Sequence, residues 1–142
     1  MKKEPKKEGR PLAIETPEKM LQHFEAYRKH CKSNPFVVKD WVGGAGKGIM
    51  REKERPLSME GFECYLFEKK IINDLGDYIS NKGGAYGKFS TICAYIRREI
   101  RRDQIDGGMA GVYNPSITQR LNNLVERTEN RHEVTEIIIK KL

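Results

Sequence analysis

Apolar residues recur at intervals of three and four in several separate stretches of the chain, and this spacing constrains the fold more than any other feature. Side chains at these intervals lie on one face of an α-helix, so each stretch is expected to form a helix that buries one side. Such stretches begin near Thr16, Ser58 and Lys88. The sequence therefore predicts a mainly α fold.

The first helix is expected to follow a polar tail, residues 1–15, whose lysines, prolines and glycine predict disorder. The tail is either a solubilising terminus or an arm that seeks phosphate. Thr16 is suited to cap the helix, with Pro17 in its first turn, and Asn34-Pro35 to end it. The apolar face of this helix is expected to consist of Met20, Phe24, Tyr27 and Cys31.

Residues 36–55 have no helical period and are expected to be irregular. The stretch FVVKDWV is compatible with a short extended piece, and GGAGKG is expected to be a loop that serves as a flexible hinge. These glycines do not match the phosphate-binding pattern G-x-x-x-x-G-K-[ST], since Trp41 stands at the first glycine position and Gly48 follows Lys47. Nucleotide binding is therefore not predicted here.

A second helix is expected to begin at Ser58, and a shorter one to cover about residues 72–80. Two short helices with a tight connection are typical of a helix-turn-helix, so residues 16–86 form a candidate DNA-binding domain. If the shorter helix enters a groove, Asp74 and Asp77 would have to face away from phosphate or accept a hydrogen bond from cytosine. The side chains suited to phosphate and base contacts around the shorter helix are Lys69, Lys70, Asn73, Asn81, Lys82 and Lys88.

The longest helix is predicted over about residues 88–106, and a further helix begins after Asn114-Pro115. The glycine-rich residues 107–111 between them either break the first helix or let another helix approach closely. Joined by this short connection, the two helices are expected to form an antiparallel helical hairpin within residues 87–128.

We expect this helical hairpin to join subunits. The long helix carries four arginines, and those that lie four residues apart repel one another. Their charge is neutralised by Glu99 and Asp103, by a neighbouring subunit or by phosphate. Alternatively, the arginine face is simply exposed to solvent. The arginines are Arg97, Arg98, Arg101 and Arg102. The residues expected at the subunit contact are Phe89, Ile92, Ile96, Arg97, Ile100, Arg101, Ile117, Leu121 and Leu124.

The last segment, residues 129–142, contains VTEIIIK, whose β-branched residues predict a strand. A single strand leaves its backbone hydrogen-bonding groups unpaired. It could pair with FVVKDWV, with copies of itself in other subunits, or with another protein. Pairing between subunits is favoured, which places Ile137 and Ile139 in the assembly.

Charge and motif content narrow the classes of function. The chain carries 27 basic and 20 acidic residues, and this surplus of seven positive charges indicates a polyanionic partner such as nucleic acid. Three scattered cysteines argue against a disulfide framework and for a reducing compartment. No catalytic motif, metal-ligand cluster or membrane-length apolar run is present, so we expect no enzyme, no cofactor and no membrane span.

Between Arg55 and Ile139 the segments RPLSMEGFECYLF, FSTICAYIRREIRRDQIDGGMAGVYNPSITQRLNNLVERTE and EVTEIIIK resemble the bacteriophage terminase small subunit. The resemblance implies a non-catalytic protein that acts in the host cytoplasm. It would bind the packaging-initiation site of double-stranded viral DNA, assemble into a homo-oligomeric ring and deliver DNA to the terminase large subunit, which holds the ATPase and nuclease. It also implies a C-terminal segment that meets the large subunit or forms a β-crown.

One segment departs from this family pattern. INDLGDYISN lacks the basic character of a recognition helix. Two other functions therefore stay open at this point: a dimeric helix-turn-helix transcriptional regulator, and an interaction protein whose C-terminal strand extends a partner's sheet.

Overall fold

The computed structural model describes residues 11–124, which form a helix-rich fold with one small antiparallel sheet, as the helical spacing predicts. Two 3₁₀ turns, Lys82–Gly84 and Gly87–Phe89, precede the longest helix. The predicted C-terminal strand, with Ile137 and Ile139, lies outside the described residues. The elements in chain order are α1 (Pro17–Ser33), β1 (Phe36–Val42), β2 (Lys47–Lys53), α2 (Met59–Glu68), α3 (Gly76–Ile79), α4 (Ser90–Met109) and α5 (Pro115–Leu121).

The helices begin where local capping predicts. Thr16 Oγ1 accepts a hydrogen bond from the Lys19 amide at 3.2 Å, and Ser58 Oγ accepts one from the Gly61 amide at 2.9 Å. These side chains satisfy amides that have no partner within the helix. The predicted starts of α1 and α2 are therefore confirmed.

One hydrophobic core joins α1, α2, α3 and α4, and it crosses the expected boundary between residues 86 and 87. Phe24 and Phe62 meet edge to face with ring centroids 5.5 Å apart, and Tyr78 and Phe89 do so at 4.9 Å. Aromatic pairs in this geometry add to the stabilisation from burial. The predicted apolar face of α1 is confirmed, because its four members are all buried.

The prediction of a disordered tail through residue 15 is wrong at its C-terminal end. Ile14 is fully buried, and its backbone amide donates a hydrogen bond to the Tyr78 hydroxyl at 3.0 Å. Leu12 also packs against the core. The apolar residues of this short stretch therefore anchor the chain before α1, while residues 1–10 lie outside the described part.

The expectation that residues 36–55 are irregular is wrong, because this segment contains both strands of the sheet. β1 pairs with β2 in an antiparallel β-hairpin, in which Lys39 faces Met50 and Trp41 faces Gly48. Gly43 and Gly46 have φ of 79° and 65° in the connecting turn, a conformation that favours glycine. The loop is therefore restricted to residues 43–46, and the strand pairing supplies backbone hydrogen bonds along the facing edges of both flanking segments.

The helix expected over residues 72–80 is a single turn, α3. Asp74 Oδ1 accepts a hydrogen bond from the Gly76 amide at 2.7 Å, a local bond that competes with a helix in the preceding residues. Ile72, Leu75 and Tyr78 are nevertheless buried. Tertiary packing thus holds this segment in place without a regular helix.

The glycines near the end of α4 admit a close neighbour. α4 continues through Gly107 and Gly108. A Cβ atom on Gly108 would lie 2.7 Å from Thr118 Cγ2 of α5. Asn122 Nδ2 donates to Gln104 Oε1 at 3.1 Å, one turn earlier along α4. The contacts therefore run in opposite directions along the two helices. Asn114 caps α5 as predicted, accepting from the amides of residues 116 and 117.

A polar cluster holds the ends of several elements together. Asp103 of α4 accepts hydrogen bonds from Lys32 Nζ at 2.7 Å, from the Leu57 amide at 2.9 Å and from the Tyr113 hydroxyl at 3.1 Å. Lys32 Nζ also pairs with Glu54 at 2.9 Å. Burial lowers the pKa of Lys32, but its hydrogen bonds to Asp103, Tyr113 and Glu54 outweigh burial and raise that pKa above its ordinary value.

Tyr27 is expected to make the fold sensitive to alkaline pH. Burial raises the pKa of its hydroxyl to about 12, and the hydroxyl donates to the Ser58 carbonyl at 3.2 Å. Because the folded pKa exceeds the ordinary value of 10.0, its contribution to stability is complete below pH 10 and is lost as pH rises through 12. Urea unfolding should show a falling free energy over this window.

The variant Tyr27→Phe tests this contribution. We expect it to lose about 1 kcal/mol at neutral pH, the net value of a typical hydrogen bond. Its free energy of unfolding should also fall less steeply between pH 10 and 12, with a residual slope because burial also raises the pKa of Tyr78 and Tyr113. An unchanged slope in the variant contradicts the assignment to Tyr27.

Candidate nucleic-acid interface

The six side chains expected to contact DNA are all exposed, and the structure brings only some of them together. Lys70 and Asn73 line one cleft between the end of α2 and α3, with Asp74 and Asp77 in the same wall. Lys69 precedes Lys70 in the chain and lies over the Tyr65 ring. This cleft combines cations with carboxylates, so it attracts phosphate only weakly.

Lys82 and Asn81 have partners close to them in the chain. Lys82 Nζ lies 3.5 Å from Asp77 Oδ1, which offsets its charge. Asn81 has a left-handed backbone with φ of 52°, and its Oδ1 accepts a hydrogen bond from the Tyr86 amide at 2.7 Å. Asn81 thus turns the chain between α3 and α4, and its oxygen is already engaged.

Lys88 lies on a different surface from the other five. Its Nζ donates to the Glu15 carbonyl and stands 5.4 Å from the Phe89 ring centroid. It borders an apolar groove between the start of α1 and α4, lined by Leu21, Ile92 and Tyr95. Lys88 is therefore not part of one surface with the residues around α3.

The arginine face of α4 is neutralised only in part. Glu99 pairs with Arg102 at 2.9 Å and with Arg28 of α1 at 3.2 Å, whereas Asp103 is occupied by Lys32. Among residues 11–124 no carboxylate lies within 4.0 Å of the three other guanidinium groups, which are exposed. These cations, available to phosphate, belong to Arg97, Arg98 and Arg101.

The β-hairpin was missing from the sequence-based candidates. Trp41 is 62% exposed, and Lys39 Nζ stands 4.6 Å from its ring centroid. Burial alternates along β1, with residues 38, 40 and 42 half-buried and residues 37, 39 and 41 exposed, but the letters FVVKDWV do not alternate between apolar and polar, so only their β-branched and aromatic content was available as a signal. The second strand, KGIMREK, has almost no apolar alternation, which hid the pairing.

The expected subunit contact divides into buried and exposed residues. Phe89, Ile96 and Ile100 are buried in the core of the single chain, so their assignment to a subunit contact is wrong: they pack within the core rather than face solvent. Ile92 is half-buried, while Arg97 and Arg101 are exposed. The apolar residues that remain exposed at the end of the described chain are Met109, Val112, Ile117, Leu121 and Leu124, here called the C-terminal apolar surface.

α5 turns a polar face to α4 and an apolar face outward. Thr118 and Asn122 are buried against α4, whereas Ile117 and Leu121 are 57% and 66% exposed. The close approach of the two helices at Gly108 leaves room only for short side chains at their contact. The larger apolar side chains of α5 are thus left without a partner in the described part of the chain.

Within residues 11–124 no three or more His, Cys, Asp or Glu side chains come together as metal ligands, and no helix there is long and apolar enough to cross a bilayer. The three cysteines are free thiols, and burial raises the pKa of Cys93.

The part of the chain that the structure describes is thus helix-rich, with exposed arginines on α4 and exposed apolar residues both at its C-terminal end and on the β-hairpin. No protein-family model matches the sequence, and no curated protein is significantly similar to it.

Proposed function

We propose that this chain is a non-catalytic adaptor of the terminase small-subunit type. It binds the packaging-initiation region of double-stranded viral DNA as a homo-oligomeric ring, delivers that DNA to the terminase large subunit and regulates it. The resemblance of the segments between Arg55 and Ile139 supplies the large subunit as partner. The net charge of +7 and the surfaces of the described residues support binding to DNA and self-association.

The observation that carries the proposal is the C-terminal apolar surface. Single exposed apolar residues are ordinary, but five large ones between residues 109 and 124 are typical of a protein interface. α5 has only seven residues, and its buried face is polar. A second copy of the chain that covers Ile117 and Leu121 would supply the burial that α5 lacks within the subunit.

The DNA side of the proposal depends on charge. The exposed Arg97, Arg98 and Arg101 of α4 can neutralise phosphates without reading bases, and the release of counterions makes such binding salt-sensitive. An electrophoretic titration of long duplex DNA at low salt tests this side. The absence of any shift contradicts it.

The structure favours the adaptor over a dimeric transcriptional regulator. A recognition helix that reads a groove presents several base-contacting side chains, whereas α3 is a single turn that carries Asp77. A regulator would form dimers on a palindromic site with half-sites about one helical turn apart. Stoichiometry therefore separates the two functions.

The variant Leu121→Asp tests the subunit contact. We expect the wild type to give a closed assembly of several copies in native mass spectrometry, and the variant to give monomers, because a carboxylate at the centre of an apolar contact is costly to bury. The matched control Ser116→Asp places the same charge on an exposed position of the same helix and should keep the assembly. A monomeric wild type, or an intact assembly in Leu121→Asp, contradicts the proposal.

A further inference from the structure

The β-hairpin presents an exposed face that the helices do not cover. Val37, Trp41 and Met50 lie on the same face by the register of the strands, and each is more than half exposed. The two strands contact each other extensively, while their contacts with the helices are sparse. An exposed indole on such an element contributes little to the stability of a single chain, so this face indicates a partner.

The indole on this face is held in place before any partner binds. Trp41 lies across Gly48 of the opposite strand, where a Cβ atom would be 3.3 Å from the ring and 3.0 Å from Lys39 Cε. The Lys39 ammonium stands over the same ring at 4.6 Å from its centroid. Because Gly48 has no side chain, the Trp41 ring and the Lys39 side chain can pack directly over the backbone of the opposite strand.

The charge of the β-hairpin selects the partner. Its strands carry four basic and two acidic residues, and Arg51 pairs with Asp40 at 3.0 Å. Within residues 11–124 no carboxylate lies within 4.0 Å of Lys39, Lys47 or Lys53. By the strand register, Lys39 and the acid Glu52 lie on the face of Trp41, whereas Lys47 and Lys53 lie on the opposite face. The strand pair as a whole keeps an excess of two positive charges, and this excess is complementary to a polyanion rather than to an apolar protein surface.

The shape of the β-hairpin fits a groove of duplex DNA. A two-stranded ribbon can enter the major groove, and the turn at its tip, Gly43-Gly44-Ala45-Gly46, has no bulky side chain. Lysines along a ribbon in a groove reach the flanking phosphates, while an indole reaches base edges. We infer that the β-hairpin inserts into a groove of duplex DNA, with Lys39 on phosphate and Trp41 on the bases. This inference rests on the proposed DNA-binding function and specifies the element that performs it.

The single tryptophan of the chain makes the inference directly testable, because all indole emission comes from this element. The full-length protein is titrated with a fluorescein-labelled duplex of about three helical turns, by anisotropy and by tryptophan emission. We expect the duplex to quench the emission of Trp41. The variant Trp41→Ala should bind about tenfold more weakly, at the low end of what the loss of one base-edge contact in a groove costs. Trp41→Phe should lose less.

Matched variants on the helices serve as controls. Phe67→Ala removes an equally exposed aromatic ring from α2 and should leave duplex affinity unchanged. Lys39→Gln should reduce the slope of log affinity against log salt by about one, the change expected when one phosphate contact is lost. Lys29→Gln, on α1, should leave that slope unchanged. Circular dichroism confirms that each variant is folded.

The outcomes separate this inference from the proposed function. A wild type that binds no duplex overturns both. The inference alone is overturned if the wild type binds duplex with unchanged tryptophan emission and Trp41→Ala binds with equal affinity. The arginine face of α4 then remains as the DNA-binding surface. Tighter binding to a single-stranded oligonucleotide than to the duplex also overturns it, because stacking on unpaired bases would then be the contact.

Discussion

Replacing Gly107 by alanine is expected to lower the free energy of unfolding by about 3 kcal/mol, near the upper end for overpacking a well-filled site. A Cβ atom at this position would lie 2.1 Å from two carbon atoms of the Tyr113 ring. The Tyr113 ring cannot easily move aside, because its hydroxyl accepts a hydrogen bond from Lys32 Nζ at 2.8 Å and donates one to Asp103. The sign is informative, since alanine in an open helix position stabilises by about 1 kcal/mol over glycine.

Urea unfolding followed by circular dichroism, at one protomer concentration, measures this loss. Gly44→Ala is the control, because no atom lies within 4 Å of a Cβ there, and its effect should stay within about 0.5 kcal/mol. In the background Tyr113→Ala the added methyl group should cost nothing. An equal loss in that background would show that the ring is not the cause.

Asp103→Ala is expected to destabilise the chain by about 3 kcal/mol, because the carboxylate accepts bonds from three separate segments. Its removal leaves the Leu57 amide without a partner and takes one of two carboxylates from Lys32, which keeps Glu54. Lys32 and Asp103 are partly exposed, so the loss should be smaller than for a fully buried ion pair.

Asp106→Ala provides the matched control, since it removes an exposed carboxylate three residues further along α4. Its effect on urea unfolding should stay within about 0.5 kcal/mol. Asp103→Asn should lose less than the alanine variant, because the amide oxygen still accepts one hydrogen bond. If Asp103→Ala unfolds at the wild-type urea concentration, the cluster does not hold the elements together.

The helix starts could be predicted because capping is local. Thr16, Ser58 and Asn114 each bond to an amide two or three residues away, so a few neighbouring residues contain the whole interaction. The buried residues of α1 and α2 could be predicted in the same way, because apolar residues spaced three or four apart lie on one face of a helix. The β-hairpin was missed because its second strand has no such spacing, and pairing with β1 organises it instead.

The sequence by itself thus determined where α1, α2 and α5 begin and which of their residues are apolar, since both depend on contacts within about one turn. Only the tertiary structure decided which apolar faces are inside the subunit. Phe89, Ile96 and Ile100 share a core with α1 and α2, whereas Ile117 and Leu121 face outward. The reason is steric: Gly108 of α4 admits Thr118 at close range, Asn122 bonds to Gln104 on the same side, and a helix of seven residues cannot turn both faces to one neighbour.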